Sequence, residues 1–153
     1  MPANKVKSGA ASLYDRDFVA WTSETARLLR AGRFDEIDIE HVAEEIEDMG
    51  KRDKRELHSL LTVLLLHLLK WNWQPNKQSS AWQSTIITQR AELEQLFEDS
   101  PSLRRTIGAA VLKVYPAALR AAMVETGLPT ATFPRDCPFT AEQILDPNFL
   151  PVL

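Results

Sequence analysis

"LLTVLLLHLLKWNWQP", Leu60 to Pro75, is the stretch on which the fold turns. From Leu60 to Leu69 every side chain is apolar except Thr62 and His67, so a helix here is apolar around most of its circumference. Crossing a bilayer takes about twenty such residues, and this run supplies roughly half of them. It therefore reads as the central helix of a soluble bundle, covered by neighbouring helices, rather than as a membrane span. Pro75 ends it, because proline lacks an amide donor and disfavours helix in the residue before it.

Toward the N-terminus, Ile39, Val42, Ala43, Ile46 and Met49 recur at three- and four-residue spacing, with Asp38 placed to cap them. Gly50 stands against helix there by about 1 kcal/mol relative to alanine. The acid-before-base pairs Glu47–Lys51 and Asp48–Arg52 offset this only by a few tenths of a kcal/mol each. Burial of the leucines beyond decides the matter, and the pattern predicts one long helix from Asp38 to about Trp73, with any bend near Gly50. Before it, Phe18, Trp21, Thr25, Leu28 and Leu29 share one face of a first helix that Gly32 stops.

Beyond Pro75, Ser80 with Gln83 reads as a capping box opening a helix whose face carries Trp82, Ile86, Leu93, Leu96 and Phe97. Ser100 as cap and Pro101 at the first helical position open another. That helix carries Leu103, Ile107, Val111, Val114 and Ala118, with a kink expected at Pro116 and a stop at Gly127 and Pro129. The proline-rich remainder holds one short capped turn, "TAEQIL", and reads as a strap docked by Phe133, Phe139, Ile144, Leu145 and Phe149. No alternating strand pattern occurs. The expected fold is all-α: a four- to five-helix bundle with one long central helix and an extended C-terminal strap.

Composition agrees with a single ordinary domain: 153 residues, 44% hydrophobic and 25% charged. The first ten residues read as a flexible tail, and residues 11–153 as one helical domain. A net charge of −3 removes the electrostatic bias that drives unspecific binding to phosphate backbones, so a nucleic-acid role needs a local patch. One cysteine, Cys137, excludes an internal disulfide and suits a reducing cytoplasm. The start, "MPANKVKSGAASLYD", lacks the apolar stretch of an export signal.

"YDRDFVAW", "EEIEDMGKRDKREL", "LLLHLLKW", "TIITQR", "SPSLR", "ETGLP" and "CPF", in this order from about Tyr14 to Pro151, resemble the DUF29 family of bacterial proteins, best known from cyanobacteria and proteobacteria. The resemblance implies a single all-helical domain. It implies no reaction and no catalytic residues, because the family's function is unknown. Matching positions such as Glu44, Glu45, His67, Lys70, Trp71, Trp82, Arg90, Ser100 and Glu125 are candidates for importance, whether in folding or in function.

Several groups of residues could carry chemistry. His58 and His67, nine positions apart, lie on opposite sides of a helix and roughly 13 Å apart along it, so they cannot chelate one ion. His41 and Glu45 share a face, but two groups make a thin shell, and the Glu-x-x-His pairs of di-metal bundles are absent. No metal and no cofactor is expected. His67, with Leu60, Leu64 and Trp71 on its side, reads first as a core histidine, and as a general base only if Glu44, Glu125 or Arg90 approaches it from a neighbouring helix. Cys137, between Pro134, Arg135 and Asp136 and the following Pro138, reads as a packed small hydrophobe. Trp71, Trp73 and Trp82 read as an aromatic plug at one end of the bundle, Trp82 near Trp71. With Lys70, Lys77 and Arg90 they could instead stack a nucleotide or single strand.

The expected role is a non-enzymatic interaction or regulatory protein of the cytoplasm, its partner a protein or a second copy of itself. The spare apolar positions for that contact are Val63, Leu66 and Leu69. A nucleic-acid or nucleotide binder at the Trp71–Trp82 turn is the alternative, and an enzyme centred on His67 comes third.

Overall fold

A computed structural model describes residues 12–152, and the expected flexible tail lies outside the described residues. The elements follow the helical periodicity. Helices α1 (Leu13–Arg16) and α2 (Phe18–Arg30) are separated by Asp17 alone, short 3-10 turns lie between α2, α3 (Ile39–Trp73), α4 (Ser80–Asp99) and α5 (Ile107–Thr126), a longer irregular stretch leads to α6 (Ala141–Leu145), and the described residues contain no strand. The chain is an all-α bundle.

Capping side chains set the helix starts. Asp17 Oδ1 accepts from Ala20 N to open α2, and Asp38 Oδ1 accepts from His41 N at the head of α3. Helix α4 opens one residue earlier than the expected box: Ser79, not Ser80, accepts from Trp82 N. The expected Ser100 cap is also replaced. Its hydroxyl donates to Asp53 instead, and Pro101–Thr106 forms a 3-10 turn that feeds α5. Gly127 closes α5 in the left-handed conformation, φ +69°, which a glycine adopts without strain. Pro116 sits inside α5 on its exposed side, where water can satisfy the carbonyl that loses its partner.

The fold comprises two compact units, residues up to Met49 and residues from Gly50 on. In the first, Trp21, Thr25 and Leu28 are the buried face of α2, while Phe18 and Leu29 at its edges stay half exposed. In the second, the leucine run of α3 is enclosed: Leu61, Leu64, Leu65, Leu68 and Leu69 have no exposed surface. Ile86, Leu93 and Phe97 of α4 and Val111, Val114, Ala118 and Ala122 of α5 pack around it. The strap closes this core through Phe133, Phe139 and the fully buried Ile144, with Leu145 and Phe149 partly buried. Thr140 and Gln143 form the reciprocal capping box of α6.

Candidate functional site

Three local arrangements concentrate the chemistry-bearing side chains. The first ties α1 to the head of α3. The Tyr14 hydroxyl donates to Glu45 Oε1, and the Tyr14 ring stacks on His41 with 3.9 Å between centroids and meets Trp21 edge-on at 4.8 Å. His41 Nδ1 in turn contacts Asp38 Oδ2. The Glu45 hydrogen bond, helped by burial and the acidic surroundings, pushes the Tyr14 pKa up to about 12. The Asp38 carboxylate raises the pKa of His41 against the smaller opposing effect of burial. Glu45 thus holds a tyrosine, whereas Glu44 faces solvent.

The second arrangement joins α3, α4 and α5. Lys70, buried on the core side of α3, donates from Nζ to Glu125 Oε2 at 2.8 Å and lies 4.4 Å over the Trp82 ring. The indole face and the carboxylate together compensate an ammonium withdrawn from water. Trp82 therefore faces a cation, and among the described residues it makes no ring pair with Trp71. Trp71 and Trp73 are half buried against the core, and Trp73 meets Phe133 at 5.6 Å between centroids. Nearby, Gln78 Nε2 donates to the Trp71 carbonyl and Gln74 Nε2 to that of Thr126. These tryptophans act as packing, and Lys77 alone of the three expected cations is exposed.

The third arrangement accounts for Arg90. Ile86, Arg90, Leu93 and Phe97 share the buried face of α4, and the guanidinium there donates from Nε to the Ile144 carbonyl at 2.8 Å. Nη1 donates to the Phe149 carbonyl at 2.7 Å and Nη2 to that of Gln143 at 3.1 Å. One side chain thereby satisfies three carbonyls that the irregular strap would otherwise leave unpaired on docking. Tyr115 does the same for the Pro134 carbonyl at 2.6 Å.

His67 Nδ1 contacts the carbonyl of Val63 one turn back, at 2.8 Å, and no carboxylate among the described residues hydrogen-bonds to it. Cys137 packs against the core; burial raises its thiol pKa, opposing a nucleophilic role. The face expected to be spare is mostly covered by the chain itself, since Leu66 is 9% exposed and Leu69 fully buried. The exposed apolar side chains lie elsewhere. Ile39 is 65%, Ile46 63% and Met49 56% exposed along the first turns of α3.

Periodicity alone could have revealed Arg90, because it falls four residues after Ile86 and three before Leu93 on the core stripe. The Tyr14–Glu45 bond had no such signal, since its partners are thirty-one residues apart in different helices. No curated protein and no solved structure matches this chain significantly. One family profile does, over residues 13–150, nearly the whole chain and the same helices described above. The chain belongs to DUF29, a family described as a domain of unknown function.

Proposed function

We propose that this chain is a non-enzymatic interaction or regulatory protein of the bacterial cytoplasm, and that it associates with a second copy of itself through the first half of α3. The observation that carries this reading is the helical stripe Ile39, Val42, Ile46 and Met49, which keeps heptad-like spacing yet leaves its three largest members more than half exposed. A second copy is favoured over another partner because the stripe matches itself: Ile39, Val42, Ile46 and Met49, spaced three, four and three apart, pack against the same spacing on a second helix about a two-fold axis. The stripe is short. A standard interface buries about 800 Å² per partner, and a stripe of four side chains supplies only part of that, so the dimer is expected to be weak, roughly micromolar.

Sedimentation of the purified protein over a wide concentration range tests this. The expected result is a reversible monomer–dimer equilibrium that Ile46→Asp shifts to monomer while the helical content stays unchanged. A monomer at all concentrations, or a dimer indifferent to Ile46→Asp, overturns it. Absorbance at 260 nm in excess of the protein's own, travelling with the boundary, would instead turn attention to a bound nucleic acid.

A further inference from the structure

Beside the Arg90 clamp, a cavity of about 390 Å³ opens between α4 and the strap, lined by Ile87, Arg90, Ala91, Glu94, Leu145 and Pro147. Small-molecule sites occupy about 300–1,000 Å³ and combine apolar walls with a few polar groups. Four of these six residues are apolar, and the polar pair is unequal. Glu94 is ion-paired to Arg104, so its charge is already met. Arg90 is only 6% exposed, and its three hydrogen bonds all go to neutral backbone carbonyls. A guanidinium has five N–H donors, so two remain beyond those three bonds. Burial lowers the Arg90 pKa, and the field of Asp146 opposes this only in part. A buried cation without an ion-paired carboxylate among the described residues borders an apolar cavity open to solvent.

We propose that this cavity binds a small aliphatic carboxylate, its head on the remaining Arg90 donors and its chain against Ile87, Ala91, Leu145 and Pro147. A carboxylate matches the planar fork of a guanidinium. Its single negative charge suits a site that has Glu94 at its edge better than a phosphate dianion does. Such a ligand would touch α4 and the strap together, and so would favour the docked strap by mass action.

The test uses octanoate, 1-octanol and octylamine, titrated into the full chain and followed by methyl resonances and calorimetry. Octanoate is expected to bind saturably, about tenfold or more tighter than octanol, with octylamine not binding. Shifts should centre on Ile87, Ala91 and Leu145. Ala91→Trp fills the cavity from an exposed position, and Ile87→Asp places a negative charge at its mouth, also from an exposed position. Both should abolish octanoate binding with the circular dichroism unchanged. Absence of saturable binding, equal binding of octanol, or binding that survives both variants overturns the proposal. None of these results bears on self-association through α3, which the sedimentation experiment reads separately.

Discussion

The two halves of α3, the first an apolar stripe and the second apolar around most of its circumference, meet opposite fates. From Leu57 to Lys70 nearly every apolar side chain is enclosed, and even the ammonium at its end is held by Glu125 and Trp82. From Ile39 to Met49 a stripe recurs at three- and four-residue spacing, yet Ile39, Ile46 and Met49 look outward. The polar side of that first half is the occupied one, through the contacts of Tyr14 with His41 and Glu45. Helical periodicity therefore marks which residues form a face but does not say what the face meets. A leucine run apolar all round must be covered for the chain to be soluble, whereas one apolar stripe can remain open.

The largest test of this contrast is truncation on either side of it. Leu65→Ala should destabilise the second unit by about 2–5 kcal/mol through lost burial and the cavity left behind. Ile46→Ala, measured by denaturant unfolding at a concentration where the protein is monomeric, should change stability by less than about 0.5 kcal/mol. Similar costs at both sites would mean that the first half is covered in solution.

Gly50, at the junction of the halves, sharpens the comparison further. It lies inside α3 with an ordinary helical conformation and open space where a Cβ would stand. Gly50→Ala should therefore stabilise the monomer by about 0.5–1 kcal/mol, read from the unfolding midpoint. A loss of stability would show that the glycine serves a close approach or a bend that the isolated chain needs.

The smallest effect concerns pH. The Asp38 contact raises the His41 pKa above its ordinary 6.5. With the folded value above the unfolded one, protonated His41 stabilises the fold fully below about pH 6.5, and this contribution is lost as pH rises through the folded value. Histidine resonances followed against pH should show His41 titrating above 6.5, and Asp38→Asn should return it toward 6.5. Asparagine still caps the helix, so the charge is tested separately from the cap. An unchanged His41 titration in Asp38→Asn would remove the ion pair from the account of this half.

Much of the architecture was legible in advance for identifiable reasons. The all-round apolar run required a central helix, Pro75 and Gly127 ended helices by backbone chemistry, and "TAEQIL" formed its capping box because both reciprocal partners are local. The start of α4 lies one residue before the expected one, because Ser79 caps it in place of Ser80. Ser100 lost its expected cap to a partner that sequence does not reveal, the Asp53 carboxylate forty-seven residues away. The candidate site was the least legible part. Lys70, Trp82 and Arg90 were visible as cations beside aromatics, a pattern that suits nucleotides and interiors equally well. Only the positions of Glu125 and the strap carbonyls show that both groups are hydrogen-bonded within the chain, Lys70 to a carboxylate and Arg90 to backbone carbonyls.

The sequence by itself determined helix, its approximate limits and its apolar faces, because these depend on residues three or four apart and on the conformational limits of glycine and proline. Tertiary structure alone decided which faces are closed, which charges are compensated and which cavity remains. Those outcomes depend on pairs such as Tyr14–Glu45, Lys70–Glu125 and Arg90–Phe149, and bringing distant groups together is governed by packing of the whole chain rather than by any local preference.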